Sequence, residues 1–283
     1  MLTNIKYYSC PQSINEAVRE LTKGRGRYSI LAGGTSSLIH THPRCLGFVS
    51  LKDLGLGYIR QAKGMLRIGA MTRIQEILED KRAGRLAGGL LYKACSCLGS
   101  TLNRSLITAG GNMTQIFRWS DFPVALLVLD TKITVAGPSR MTVPLIDLLK
   151  KHPKTKLKYN QIITEIGIRD PGKGYRSEFI KFSRTNFDLA ILSIAVLACV
   201  NQGRCTDIRI AYGAVQPLCF RAYGLEELIK GQRISEELIQ KAGEESTRLI
   251  SCSRDLRVSP EYQRSLLKTL TLRALKKVLL NPK

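Results

Sequence analysis

The chain has 283 residues, of which 44% are hydrophobic, so it can bury a substantial core in two or three domains. Its 44 Lys and Arg residues outnumber 22 Asp and Glu residues, and the formal net charge of +22 indicates an anionic partner, either nucleic acid or an acidic protein surface. The sequence has neither an apolar run that could span a bilayer nor a secretory signal, so we expect a cytoplasmic protein.

Cysteine and histidine spacings argue against the common metal centres. The eight cysteines include no C-x-x-C pair and no ferredoxin-type spacing, so we expect reduced thiols. The three histidines match no zinc pattern. The sequence also lacks a Walker A motif and a G-x-G-x-x-G after a strand, which leaves a Rossmann dinucleotide site unsupported.

The first elements predict a small βαβ-like unit over residues 1–54. A short strand at 5–8 precedes Ser13 and Glu16, which have the spacing of a capping box at the start of a helix. We expect this helix to end near Gly24.

The next strand, at 28–31, runs directly into a glycine loop. Two glycines after a strand let the backbone bend and let a ligand approach the main chain. The following N–H groups can form an anion nest, with hydroxyl groups as extra donors, so the loop is a candidate phosphate or pyrophosphate site. A plain strand-ending turn is the alternative. The loop residues are Ala32, Gly33, Gly34, Thr35, Ser36, Ser37 and Leu38.

The middle of the chain repeats this pattern after more helical sequence. Thr72 is predicted to cap a helix, and a second helix is predicted over about 86–98. An aromatic-rich loop at 117–123 holds the only tryptophan, and strands at 132–136 and 141–144 predict a hairpin. A second glycine loop precedes these elements and consists of Thr108, Ala109, Gly110, Gly111 and Asn112.

The densest basic run lies at 150–158. It could bind nucleic acid, but it lacks the interleaved aromatic residues of single-strand binders, which favours a solvated loop. A linker is predicted at 170–174 and a strand at 177–182. Ser235 and Ser259 are placed to cap the last two helices.

The order of these motifs resembles the FAD-binding (medium) subunit of the xanthine dehydrogenase and carbon monoxide dehydrogenase family of molybdenum hydroxylases. The glycine loops AGGTSSL and TAGGNM flank LRIGAMT, and DFPVALLVLD and VPLIDLL follow them. FIKFSRTNFDLA, RIAYGAVQP and a closing pattern from Arg254 to Leu275 extend the resemblance over essentially the whole chain.

The resemblance implies an α+β fold of two domains. Residues 1–170 would form a two-part FAD-binding domain of the vanillyl-alcohol-oxidase-like type, with subdomains at about 1–54 and 55–170. Residues 171–283 would form a smaller α+β C-terminal domain.

It also implies roles for individual residues. The two glycine loops would hold the FAD pyrophosphate, mainly through backbone N–H groups. Asp121 would face the polar middle of the cofactor, and Lys181 would lie near the pyrimidine edge of the flavin. A surface lysine is the alternative for Lys181. The sequence departs from the family pattern at Ser36, Ile107 and Thr185.

The implied function is electron transfer. FAD on this chain would take electrons from an iron–sulphur subunit and pass them to NAD or another acceptor, while the organic substrate would be oxidised at a molybdenum cofactor on another subunit. Two alternatives stay open. A basic nucleic-acid-binding protein would explain the charge, and a scaffold subunit of the same fold would have lost FAD.

Overall fold

A computed structural model describes residues 5–280. They divide into two compact units, each built from three chain segments. The first unit comprises residues 5–80, 100–116 and 131–168, and the second comprises residues 81–99, 117–130 and 169–280.

The first unit begins with a three-stranded parallel sheet. Its strands are β1 (Tyr7–Ser9), β2 (Tyr28–Leu31) and β3 (Gly47–Ser50), in the spatial order β1-β3-β2. Helix α1 (Ile14–Gly24) connects the first two strands, which confirms the predicted βαβ-like arrangement.

Local sequence explains the bounds of α1. Ser13 Oγ accepts a hydrogen bond from Glu16 N, while the Glu16 carboxylate accepts from Gln12 N rather than from Ser13 N, so only half of the predicted capping box forms. Arg25 ends the helix in the left-handed region, at φ 48°. The buried face of the helix packs against Val49, Leu51 and Ile162, and it comprises Ala17, Val18 and Leu21.

A five-stranded sheet forms the rest of the first unit's framework. Its strands are β4 (Ile59–Ala62), β5 (Met65–Gly69), β6 (Lys132–Ala136), β7 (Met141–Pro144) and β8 (Ile162–Arg169). Their spatial order is β4-β5-β8-β6-β7, and the predicted β6–β7 hairpin is confirmed.

Short helices lie between these strands in the sequence. Among them, α3 (Lys81–Arg85) and α4 (Leu90–Ser96) belong to the second unit, as does the helix at 122–128 described below. The others in the first unit are α2 (Ile74–Glu79), α5 (Thr101–Arg104), α6 (Ala109–Thr114), α8 (Leu145–Leu148) and α9 (Pro153–Lys156).

The second unit is built on an antiparallel sheet. Its strands, in the spatial order β12-β11-β10-β9, are β9 (Tyr175–Phe182), β10 (Leu192–Asn201), β11 (Arg204–Gly213) and β12 (Phe220–Arg221). Its further helices are α7 (Phe122–Val128), α10 (Tyr223–Ile229), α11 (Glu236–Leu249) and α12 (Pro260–Leu275), which continues into a π-helical turn, Lys276–Leu280.

The capping serines of the last two long helices are confirmed. Ser235 Oγ accepts from Leu238 N, and Ser259 Oγ accepts from Tyr262 N. The core of the unit joins β10 and β11 to the buried faces of these helices, which include Ile239 of α11 and Leu267 and Leu270 of α12.

Two predictions about helix ends are wrong. Arg73 rather than Thr72 caps α2, because the Thr72 hydroxyl bonds to Tyr58, accepting from its N–H and donating to its carbonyl. The predicted helix over 86–98 starts only at Leu90, since Ala87 and the two glycines after it have positive φ values.

The expectation of reduced thiols is confirmed by the structure. All eight cysteines are free thiols. Within residues 5–280, no group of His, Cys, Asp and Glu side chains could hold a metal ion, and no helix is long and apolar enough to cross a membrane.

Candidate cofactor-binding site

The first glycine loop leaves its backbone donors available. The N–H groups from Gly33 to Ser37 donate to no backbone carbonyl of residues 5–280. The carbonyls of the loop are used instead, since Gly34 O accepts from Leu38 N at 3.3 Å and Ser36 O accepts from His40 N at 2.8 Å. A run of free N–H groups beyond a strand end is the arrangement that binds an anion.

The second glycine loop forms the first turns of α6, and its donors are committed. Ala109 N donates to Thr72 O and Gly110 N donates to Ala70 O, each at 2.8 Å. Gly111 N donates to Thr108 Oγ1 at 3.2 Å, and the N–H of the next residue donates to the Thr108 carbonyl. The two loops therefore differ, because only the first offers unused backbone N–H groups.

The two loops lie against each other within the first unit. A Cβ on Gly33 would stand 1.8 Å from the carbonyl oxygen of Leu106 and 3.5 Å from Thr108 Cγ2. A Cβ on Gly110 would stand 2.6 Å from the Ala70 Cβ. The distances of 1.8 Å at Gly33 and 2.6 Å at Gly110 are too short for a side chain, so each position requires glycine for one chain segment to approach another.

Each loop also holds a buried polar atom without a hydrogen-bond partner among the described residues. These atoms are Ser36 Oγ in the first loop and Asn112 Oδ1 in the second. Buried polar atoms in native proteins are nearly always satisfied, so an unsatisfied pair in adjacent loops indicates a polar ligand. The Ser36 hydroxyl can donate to a phosphate, whereas Asn112 Oδ1 can only accept a hydrogen bond. The residues present therefore fit a ligand that carries both phosphate and hydroxyl groups, as a dinucleotide does.

Asp121 and Lys181 meet in the second unit. Asp121 directly precedes α7, and Lys181 lies on β9. Lys181 Nζ is 3.2 Å from Asp121 Oδ2 and donates to the carbonyl of Cys97 at 2.8 Å. The two side chains are only 6% and 4% exposed, so the surface-lysine alternative is wrong.

Strand alternation explains how Lys181 comes to this position. Ile180 and Phe182 face the core of the second unit and pack against it. Lys181, between them, must point to the opposite face of the sheet. The ion pair is thus a consequence of β9's apolar pattern together with the carboxylate that precedes α7.

Burial is the main influence on the Asp121 carboxyl group. It raises the pKa of Asp121 from 3.8 to about 6, although the charge and the hydrogen bond of Lys181 act in the opposite direction. Asp121 Oδ1 is buried and has no hydrogen-bond partner among the described residues, which also disfavours the ionised form.

Sequence reasoning missed Arg118, which organises the loop before α7. Its guanidinium donates to the carbonyls of Ala214, Ser253 and Arg254 at 2.7, 2.8 and 2.6 Å. Its two sequence neighbours, Phe117 and Trp119, stack on each other, with ring centroids 5.4 Å apart. In the sequence, the position of an arginine between two aromatic residues could have indicated that Arg118 has a structural role in this loop.

Comparison with protein families gives two matches that together span most of the chain. The family described as the FAD binding domain in molybdopterin dehydrogenase matches residues 3–169. The family described as the CO dehydrogenase flavoprotein C-terminal domain matches residues 177–278.

Individual relatives match over nearly their full length. The glyceraldehyde dehydrogenase medium chain of Sulfolobus acidocaldarius is 28% identical, covering 96% of this chain and 97% of its own. The nicotine 6-hydroxylase medium subunit of Paenarthrobacter nicotinovorans is 26% identical, with 95% of each chain covered.

Solved structures share the fold. A chain of quinoline 2-oxidoreductase from Pseudomonas putida 86 is 25% identical, with a TM-score of 0.87 over 96% of each chain. A chain of carbon monoxide dehydrogenase from Hydrogenophaga pseudoflava is 24% identical, with a TM-score of 0.92 over 99% of each chain.

The raised pKa of Asp121 predicts a specific dependence of stability on pH. The folded chain holds this proton more tightly than the unfolded chain, so the contribution is complete below pH 3.8 and is lost as the pH rises through about 6. Relative to Asp121→Asn, the wild-type free energy of unfolding should fall by about 3 kcal/mol across this window.

Urea unfolding of the purified chain at a series of pH values measures this difference. Asp53→Asn is the control, because Asp53 is exposed. A wild-type stability that runs parallel to that of Asp121→Asn from about pH 4 to about pH 7 would contradict the prediction.

Proposed function

The chain belongs to the family of FAD-binding subunits of molybdopterin dehydrogenases, and from this premise we propose that it transfers electrons within a larger molybdenum-dependent dehydrogenase. Electrons would reach its FAD from iron–sulphur clusters on one partner subunit and leave to NAD. Oxidation of the organic substrate would take place at a molybdenum cofactor on another partner subunit. We place this enzyme in the cytoplasm.

One observation carries the cofactor part of this proposal. Two glycine loops pack against each other in the first unit, and each contains a buried polar atom that has no hydrogen-bond partner among the described residues. A flavin-free scaffold would have no need to keep unsatisfied polar atoms in both loops, because each lowers stability. This favours FAD binding over the scaffold alternative.

The chain's residues would divide the work of binding. We propose that the free N–H groups from Gly33 to Ser37 and the hydroxyl of Ser36 donate to the pyrophosphate, and that Asn112 Oδ1 in the second loop accepts from a hydroxyl group of the same cofactor. When bound, FAD would supply the redox chemistry that side chains lack. The proposed cofactor residues are Ala32, Gly33, Gly34, Thr35, Ser36, Ser37, Leu38, Thr108, Ala109, Gly110, Gly111, Asn112, Asp121 and Lys181.

Asp121 and Lys181 are assigned to the cofactor from the family resemblance. As an ion pair they carry opposite charges, whose fields largely cancel. The pair would therefore act on the flavin much less strongly than an isolated lysine. Its buried position means that removal of either partner leaves the other charge uncompensated.

The first prediction for this function is that Asn112→Asp weakens FAD binding by at least about tenfold, because a new carboxylate would repel the pyrophosphate. The flavin absorbance per chain after purification, and titration of the stripped chain with FAD, measure the effect. Asn201→Asp is the matched control, since Asn201 is exposed in the second unit and the change in charge is the same.

Substitution of the glycines is a poorer test. Gly34 has a φ of +75°, so Gly34→Val would strain the backbone whether or not a ligand binds. Gly110→Val would collide with Ala70.

If Asn112→Asp bound FAD as tightly as the wild type, the second loop would lie outside the site.

The second prediction concerns the midpoint potential of the bound flavin. Asp121→Asn removes the negative partner of Lys181, so the flavin should become easier to reduce. Lys181→Met should shift the potential in the opposite direction. Lys173→Met is the control, because Lys173 is exposed in the same unit. Unchanged potentials in both variants would remove the ion pair from the cofactor site.

The third prediction separates the chain from the complete enzyme. The purified single chain should hydroxylate no organic substrate, whereas the complex purified through this chain should contain iron, sulphide and molybdenum and should reduce NAD. Reduction of an artificial dye without reduction of NAD would overturn the choice of acceptor. Hydroxylation by the single chain would overturn the whole assignment.

A further inference from the structure

A basic surface is formed on the first unit by two stretches that are far apart in sequence. One stretch runs from the end of α1 into the turn after it, and the other runs from α9 into the segment that follows it. Every member is solvent-exposed, and Tyr159 is 49% exposed. The basic surface consists of Lys23, Arg25, Arg27, Lys154, Lys158 and Tyr159.

Specific contacts bring the two stretches together. Asn160 Nδ2 donates to Thr22 Oγ1 at 3.1 Å. A Cβ on Gly26 would lie 3.9 Å from Tyr159 Cβ, so the glycine between the two arginines borders the tyrosine. These contacts place the basic residues of the two stretches side by side, so together they form a larger basic surface than either stretch does alone.

Backbone hydrogen bonds fix the turn that carries the arginines. Arg25 N donates to Thr22 O at 3.1 Å, and Arg27 N donates to Gly24 O at 2.8 Å. The turn is therefore shaped before any partner arrives, which reduces the entropy lost on binding.

The positive charge of this surface is poorly compensated. Lys23 pairs with Glu20 at 2.8 Å. Among the residues that the structure describes, Arg25, Arg27, Lys154 and Lys158 form no ion pair with a carboxylate. Charge of one sign on one surface favours a partner of the opposite sign and accelerates its association.

We infer that the basic surface docks an acidic surface of another subunit in the complete enzyme, an inference that rests on the proposed function. Arginine and tyrosine are enriched at the centres of protein interfaces, whereas lysine is tolerated at the rim. The basic surface has the composition of a protein interface, because two arginines lie beside Tyr159 and the lysines belong to the flanking positions. A single-stranded nucleic acid would instead call for several aromatic side chains to stack successive bases.

The test uses the complex purified through an affinity tag on this chain, washed with rising salt. Arg25→Glu/Arg27→Glu/Lys158→Glu should raise the apparent Kd for the other subunits at least about tenfold, the effect expected from losing several exposed ion pairs. The control is Lys52→Glu/Lys63→Glu/Lys132→Glu, which makes the same change in net charge at exposed positions of the same unit. Unchanged FAD content shows that each variant is folded.

Each outcome separates the inference from the proposed function. A triple variant that keeps FAD and retains its subunits as the control does would overturn the inference alone. If the triple variant kept its subunits but lost the ability of the wild type to bind a duplex DNA oligonucleotide, the inference would be overturned and the basic surface would be assigned to nucleic acid. A wild-type preparation that contains FAD but no partner subunit at any salt concentration would overturn the proposed function, and the inference with it.

Discussion

The close approach of two backbones is the constraint on which the candidate site depends. The carbonyl of Leu106 occupies the space that a side chain at residue 33 would need, so the first glycine loop can lie directly against the second. The N–H groups from Gly33 to Ser37 have no backbone acceptor among the described residues, whereas those of the second loop donate to Ala70, Thr72 and Thr108. A cluster of free donors beside a packed helix start is a pre-formed cradle, which binds a ligand without reorganising first.

The second unit depends on a different kind of constraint. An ion pair that is nearly excluded from water is stable only because each partner compensates the other, and removal of either partner would leave an uncompensated buried charge. The raised pKa of Asp121 shows that this compensation is incomplete. The ion pair therefore contributes little to the free energy of unfolding, which is consistent with a role in function.

Much of the fold could be predicted because its signals are local. Strand β2 and the caps at Ser235 and Ser259 are specified by neighbouring residues, and the β6–β7 hairpin follows from two strands around a turn. The failures had distant causes. The Thr72 cap was predicted wrongly because the actual partner of its hydroxyl, Tyr58, lies on another segment. The alternation of β9 turns Lys181 away from the core, but its pairing with Asp121 joins segments that are far apart in sequence, which no local pattern specifies.

The interleaving of the two units has a consequence for biosynthesis. Helix α7 is buried along its whole length in the mature second unit and lies against β10 and β11, which leave the ribosome only after it. Until those strands emerge, the nascent chain presents a fully apolar heptapeptide, FPVALLV, with no sheet to cover it. The first unit is likewise incomplete until β8 has been made. Such a chain is exposed to aggregation while it is being translated, which makes it a natural client for a chaperone that shields hydrophobic segments.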